Sequence, residues 1–569
     1  MLLALFVAAA TAATWPPGEL INPGVSIDIT EGGFDAVAAL IPELLPSAIE
    51  IPETGGGDPG LFDKCYLGGY EYTLTNGAVA IDVVDTSIKP GDGVLDINAS
   101  LMVSINNPAD PFSLFIMLEC IEDTCEGYVN PFPVDVSTTM RLTVVDDGAG
   151  RRTLDATMGE IAVVYELDGA NDIYLGECAI GDVEEVLNFV GLSIYDLLIG
   201  ALDSTLQDQI KALGPTLEET IEDAFSAATI EQDLELNGAV VHLLLQPSNV
   251  EITPASMRLW MEGSFDGAPA DCIAAYDPGG SLRTDSELPG PKDVPNGVGA
   301  DYHFGALIGD DFANSALYAL WRGGLLCYQL DAASSPIPLD TSILNGLTGD
   351  VFAPLFPVAV PVELSIRPAK PPEVVYTGTH DIGLGIHEMH LDFYAALDGR
   401  AARLISTQLD GEAGADLNLD GATGLLAIAV DLDPANFVPS VSYNEVDPAA
   451  NEHMVANFGG LLGTVLDSVA GPLLADLSFG LPSFSGLGLT ELTVRETGGD
   501  KDWLGAFAWL GPVEYSGGGC GGCGGGCGGD TGGTVDTGGT ACSGGCSAIP
   551  AAPWIAVGFA ALWMRRRRA

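Results

Sequence analysis

The sequence predicts an α+β protein, mainly antiparallel β, built from two similar halves. Three observations predict it. Alternating apolar and polar residues recur in many short runs separated by turn residues, the mark of half-buried strands in an antiparallel sheet that curls or closes. Helical periodicity occurs at only a few places, each beside such runs. The order helix, many strands, long helix, closing strands then occurs twice, as a duplication of element order without residue identity.

Taken in order, Leu2 to Ala10 is a short apolar run followed by small residues at Ala10 to Ala13. It reads as a signal peptide over residues 1–13, though without a basic leader, and is too short to span a membrane. Ile27 to Thr30 reads as a strand. Gly33 to Leu45 reads as an amphipathic helix with Phe34, Val37, Leu40, Ile41 and Leu44 on one face. From Gly69 to Val145 the chain alternates in strands broken by turns. The period changes at Asp182: Val183 to Ala212 carries Leu187, Val190, Ile194, Leu197 and Leu198 at helical spacing. Gly214-Pro215 breaks that helix, and Thr216 caps another. Strands resume at Gln232. Asp277 to Asn296, rich in Pro, Gly and charge, reads as a linker within residues 276–300, dividing a first domain (14–275) from a second (301–515). In the second half a helix is expected at Asp310 to Gly323, strands from Val358 to Leu432, a long helix over Glu452 to Leu474, and a last strand pair ending near Trp509.

The end of the chain changes character. Residues 516–547 are a Gly/Cys-rich tether that cannot build a core. Ala548 to Met564 is apolar, roughly 25 Å long as a helix, and within 548–569 it is followed by Arg565 to Arg568, which stay cytoplasmic by the positive-inside rule.

The net charge is −59, with 79 Asp and Glu against 20 Lys and Arg. Such a surface excludes nucleic-acid binding, which runs on neutralising phosphates with basic residues. It also repels anionic headgroups at low salt, and it equally suits a protein adapted to salty surroundings. Yet 47% of residues are hydrophobic and only 17% charged, so the chain holds large cores or apolar cavities, with many Ala and Gly covering part of the excess. Six cysteines lie in the body and five in the tail; an even body count in an exported chain favours disulfides, and Cys120 and Cys125 flank a short turn.

Catalytic motifs are missing: there is no G-x-S-x-G and no H-E-x-x-H. His387-Glu388-Met389-His390 lies in a strand pattern, where residues three apart face opposite ways. Asp416 to Gly421 imitates the start of a calcium loop but has Ala427 at the twelfth position. Cys520-x-x-Cys523 has no His near it. The expectation is a protein without enzyme activity, metal or cofactor.

The segments NPGVSIDITEGGFDAVAALIPELL, DDFANSALYALWRGGLLCYQLD, SIRPAKPPEVVYTGTHDIGLGIHEMHLDFYAAL and NEHMVANFGGLLGTVLDSVAGPLLADL, in that order over about residues 21 to 510, resemble the bactericidal/permeability-increasing protein and its relatives, the lipopolysaccharide-binding and plasma lipid-transfer proteins. The resemblance implies two elongated barrels, each with a long helix, joined by a central sheet into a boomerang. It also implies a phospholipid or other two-chain lipid held in an apolar pocket of each barrel. The pocket residues would be the first-half positions above together with Phe312, Leu317, Leu320, Leu461, Leu462 and Val465; the same faces read equally as plain core. Two departures bear on function. The first half is acidic, with Lys64, Lys89, Arg141, Arg151 and Arg152 thinly spread, which argues against capture of lipid A phosphates. The helix over Val183 to Phe225 has no Cys, so the family's strand-to-helix disulfide is absent or rewired.

The tail resembles the myxobacterial-type C-terminal sorting signal. That implies an intramembrane sorting protease, modification at Cys542 or Cys546, and delivery to the surface or outer membrane of a Gram-negative-type bacterium. A surface adhesin or structural protein with filled barrels is the alternative.

Overall fold

The computed structural model describes residues 14–512 apart from 40–41, 43–47, 51–53, 57–69, 119–120, 149, 168, 177–198, 200–206, 209, 212–213, 216–228, 237–238, 285–286, 291–297, 299–300, 333–338, 377–379, 422–424, 466–477 and 481–486. The chain forms three main antiparallel sheets, with four helices of eight residues or more among the described residues. The class is α+β and mainly antiparallel, as the alternation predicts. Barrels were expected. None of the sheets closes on itself among the described residues; each runs between two free edges.

The seven-stranded central sheet is shared by both halves. Its order is Ile230–Leu236, Ala239–Thr253, Ser256–Gly267, Ile21–Thr30, Phe304–Gly309, Trp503–Pro512, Leu487–Thr497. Ile21–Thr30 and Phe304–Gly309 pair antiparallel at its middle, with Ile27 opposite Ala306. Each is flanked outward by the closing hairpin of its own half. Each also runs straight into a helix, Glu31–Ala38 or Asp310–Arg322. The repeated element order therefore corresponds to a near two-fold arrangement about this strand pair.

Glycines permit the close approaches at this centre. A Cβ on Gly33 would sit 2.2 Å from the His303 carbonyl oxygen, and one on Gly24 would sit 2.9 Å from the Phe312 ring. Thr30 caps the first helix by accepting from the Gly33 N–H at 3.4 Å. That helix is described over Glu31–Ala38, shorter than the expected span to Leu45.

Each outer sheet is organised on one long strand. In the N-terminal sheet this is Ile121–Asp146. One edge pairs with Leu95–Ile105 and Phe112–Leu118, the other with Arg152–Met158, Ala162–Tyr165 and Ile173–Gly176. In the C-terminal sheet it is Arg400–Asp420, with Ile382–Leu397 on one edge and Leu425–Asp431 and Phe437–Tyr443 on the other. Helix Ala450–Val465 packs beside Thr341–Thr348, the latter capped by Asp340 and ended by Gly349 at φ 68°.

The stretch read as a linker is tied down where it is described. Ser281–Leu282 pairs with Thr14–Trp15, Arg283 stacks on Trp15 at 4.4 Å, and the Pro289 carbonyl accepts from Arg258 at 2.5 Å. A disulfide, Cys272–Cys327, spans it. Cys125 is also disulfide-bonded; Cys120 lies outside the described residues.

Candidate functional site

Alternation along the long strand of the N-terminal sheet turns Phe132, Val134, Met140 and Leu142 inward and buries them, while Pro133, Asp135, Ser137 and Arg141 face water. Neighbouring strands add Leu101, Val103, Ile105, Val79 and Ile81 to the same core. Past Met140 the apolar face continues through Leu95, Leu142 and Ala156 into the central sheet. At ~3.3 Å per residue, the 26-residue strand is about 85 Å long. Ile199 and Ile210, both on the stretch read as the first long helix, pack on this face. The expected pocket residues Leu187, Val190, Ile194, Leu197 and Leu198 lie outside the described residues, as do Leu40, Ile41 and Leu44.

The C-terminal sheet repeats the plan. Val362, Leu364, Leu391, Phe393, Leu404, Ile405 and Leu409 form its apolar face. Helix Ala450–Val465 rests on it through Met454, Phe458 and Leu462, one residue per turn along a single stripe. Val455, Ala456, Gly459 and Gly460 of the same helix are exposed. Leu461 and Val465 belong to this helix, but their side chains are outside the description.

The structure distributes the remaining expected pocket residues differently from one pocket per half. Phe34 is buried with Leu95, Met140, Leu142, Ile252 and Met257, where it joins the N-terminal sheet to the central one. Val37 points outward, 39% exposed. Phe312 is fully buried against Val241, Leu243 and Phe265 of the central sheet, with Leu320 partly buried beside it. Leu317 is half-buried. Phe312 and Leu320 thus line the central core, because helix Asp310–Arg322 folds back over the central sheet; on the same helix Trp321 donates to the Pro368 carbonyl at 3.1 Å and Asn314 accepts from the Val374 N–H at 2.7 Å, which joins it to the C-terminal sheet. Only Leu462 of the described second-half set lies in the C-terminal core.

Charge enters the interior at several places that sequence reasoning did not single out. On the central sheet Arg258 donates to both carboxylate oxygens of Asp28, at 2.6 and 2.5 Å, with side chains 5% and 3% exposed. Burial, and then the Asp28 charge, push the Tyr302 hydroxyl up to about 12. At the start of the second helix the Asp310 carboxyl stands at about 6, with burial the largest cause. Thr284 donates to it, and the neighbouring Asp311 and Asp502 charges raise it further. Burial alone would raise Asp277, but hydrogen bonds from Tyr318, the Gly279 amide and Arg322 together hold it below the usual carboxylate range. These clusters tie helix Asp310–Arg322 and the connecting stretch to the central sheet.

The metal-like sequence patterns become structural contacts. His387 lies 3.9 Å from Glu373 and Glu388 pairs with Lys370 at 2.8 Å. Asp416 accepts from the Asp381 amide at 3.0 Å and lies 3.1 Å from His380 Nδ1; the amide, then the imidazole, hold its carboxyl below the ordinary value. Among the described residues no three His, Cys, Asp or Glu are grouped to hold a metal. No described helix is long and apolar enough to cross a membrane; residues 548–569, with Cys542 and Cys546 before them, lie outside the description.

No family model matches the chain, and no curated protein matches it. Among solved structures, lipopolysaccharide binding protein is similar at 15% identity and TM-score 0.45, covering 86% of this chain and 100% of that one. P47 of Clostridium botulinum E1 has 9% identity and TM-score 0.26, with 86% and 100% covered. Takeout 1 of Epiphyas postvittana has 12% identity and TM-score 0.18, over 32% of this chain and 90% of that one. At these scores none of the three likenesses establishes a shared fold.

Proposed function

We propose that the chain is an exported lipid-binding protein without catalytic activity, holding the acyl chains of a phospholipid or other two-chain lipid along the apolar faces of its two outer sheets. One observation carries this reading: each outer sheet has a continuous apolar face with helical residues packed on it, Ile199 and Ile210 on the N-terminal face and Met454, Phe458 and Leu462 on the C-terminal one. On the central strand of the C-terminal sheet the buried apolar residues run from Leu404 to Ala413, about 30 Å. The 16-residue helix above it, about 24 Å long, shares that face with Leu344 and Leu347 of helix Thr341–Thr348 and with Phe352 and Phe356. An acyl chain laid along such a face gains ~0.8 kcal/mol per buried methylene, so a long chain is held without a dedicated polar contact.

Export by residues 1–13, and delivery to the cell surface through the tail with Cys542 or Cys546 modified after cleavage by an intramembrane protease, are part of the proposal. They rest on the sequence patterns and on the resemblance of the tail. The rival reading, an adhesin or structural surface protein, draws on Phe352, Phe393, Phe437 and Phe458, all buried in the C-terminal core.

Native mass spectrometry of the secreted protein, followed by denaturation and lipid analysis, separates the two. The carrier reading expects one two-chain lipid per half. A folded protein that stays lipid-free after incubation with vesicles would leave the adhesin reading standing alone.

A further inference from the structure

The loop from helix Thr341–Thr348 to strand Val362–Pro368 contains residues 351–361, Val-Phe-Ala-Pro-Leu-Phe-Pro-Val-Ala-Val-Pro, without a polar side chain. In a chain of net charge −59 this is an outlier. The loop is firmly seated. Phe352 and Phe356 are buried in the C-terminal core, held one turn apart by the Phe356 N–H donating to the Phe352 carbonyl at 3.1 Å. That turn presents Leu355 outward, 39% exposed, and leads to Val358, at 75% the most exposed large apolar side chain among the described residues. Pro354, Pro357 and Ala359 are exposed with them. A lone exposed Val is ordinary. A contiguous apolar patch on an anchored base is a docking surface.

We propose that this loop seats the protein on a lipid bilayer of neutral or zwitterionic headgroups. Charge selects that occupant. No Lys or Arg lies between Arg322 and Arg367, and the loop is flanked by exposed Asp350 and Glu363. The acidic rim meets the ammonium end of a choline or ethanolamine headgroup and repels an anionic surface. Leu355 and Val358 enter the interface between headgroups and acyl chains. Sequence order agrees: after Pro512, the Gly/Cys-rich residues 516–547 lead to the apolar segment 548–564 that is proposed as the membrane anchor. The body therefore works within reach of a membrane. The inference deepens the lipid-carrier reading, since the loop would be where cargo is exchanged, yet docking is measured separately from cargo.

The test uses the full chain carrying Val358→Trp with phosphatidylcholine vesicles brominated along the acyl chains. Quenching beyond that of the parent's own tryptophans is expected. Absence of extra quenching overturns the proposal, as does a concentration-dependent self-association that Leu355→Asp with Val358→Asp abolishes while no quenching occurs. That double variant, both positions being exposed, should keep its melting temperature and its lipid content. It should slow transfer of a fluorescent phosphatidylcholine between vesicles by roughly tenfold; unchanged transfer overturns the exchange role. Docking on phosphatidylglycerol vesicles at low salt should be weaker, and equal or stronger docking overturns the headgroup assignment. A parent without bound lipid sinks the carrier reading and leaves the quenching result to decide docking.

Discussion

Replacing Arg258 by Met removes the guanidinium that donates to both oxygens of Asp28 and to the Pro289 carbonyl. Among the described residues Asp28 then keeps a long contact from the Ser26 hydroxyl, 3.4 Å, in a site where its side chain is 3% exposed. Stranding one member of a buried pair costs about 3–5 kcal/mol, a large part of a typical folding free energy. Replacing Asp28 by Val as well removes the orphaned charge, so the double variant should recover most of the loss and lie within about 2 kcal/mol of the parent. Urea unfolding of the four proteins of this cycle, followed by tryptophan fluorescence, gives the coupling directly. A loss below about 1 kcal/mol for Arg258→Met, or a double variant that loses the sum of both single changes, refutes the account of this pair as a desolvated clamp on the central sheet.

Asp310 gives a pH signature. Its carboxyl stands at about 6 in the fold against 3.8 as the ordinary value. The native state therefore holds the proton more tightly, so the group's contribution is fully present below pH 3.8 and is lost as pH rises towards 6. Asp310→Asn should raise stability at pH 7 by up to about 3 kcal/mol and flatten the parent's decline between pH 4 and 6. Equal pH profiles for the two proteins would refute the assignment. Cys272–Cys327 closes a loop with a separation of 55 residues, so its removal by a double Cys→Ser change should cost about 4 kcal/mol on the chain-entropy estimate. An unchanged denaturation midpoint would show that the sheet pairing alone holds the connection.

Legibility in the sequence followed solvent. Strands such as Ala78–Pro90 and Leu95–Ile105 have one wet face, so their alternation could be read. Ile21–Thr30 is covered on both faces through its middle. At its start, Gly24 is there because the Phe312 ring leaves no room for a Cβ. Helix Thr341–Thr348 carried its signals, Asp340 before it and Gly349 after it, but is too short for its period to stand out. The Pro- and Gly-rich connection announced a turn-prone backbone, and nothing in its composition reports the tertiary bonds of Thr284 or Pro289. The resemblance likewise assigned Phe312, Leu317 and Leu320 of one helix to a pocket face. It could not show that the partner of that face is the central sheet, since the opposing residues come from strands 230–267.

The strand pair at the middle of the central sheet has a consequence for how the protein is made. Ile27 waits for Ala306, 279 positions later, and the outermost hairpin of the second half is completed only at Pro512. Until residues 304–309 have been made, the inner edge of Ile21–Thr30 has no partner strand. Pairings of such long sequence separation form slowly. During that interval the nascent chain should depend on holding factors. Neither half made alone should be soluble, because each would present half a sheet with its inner edge bare.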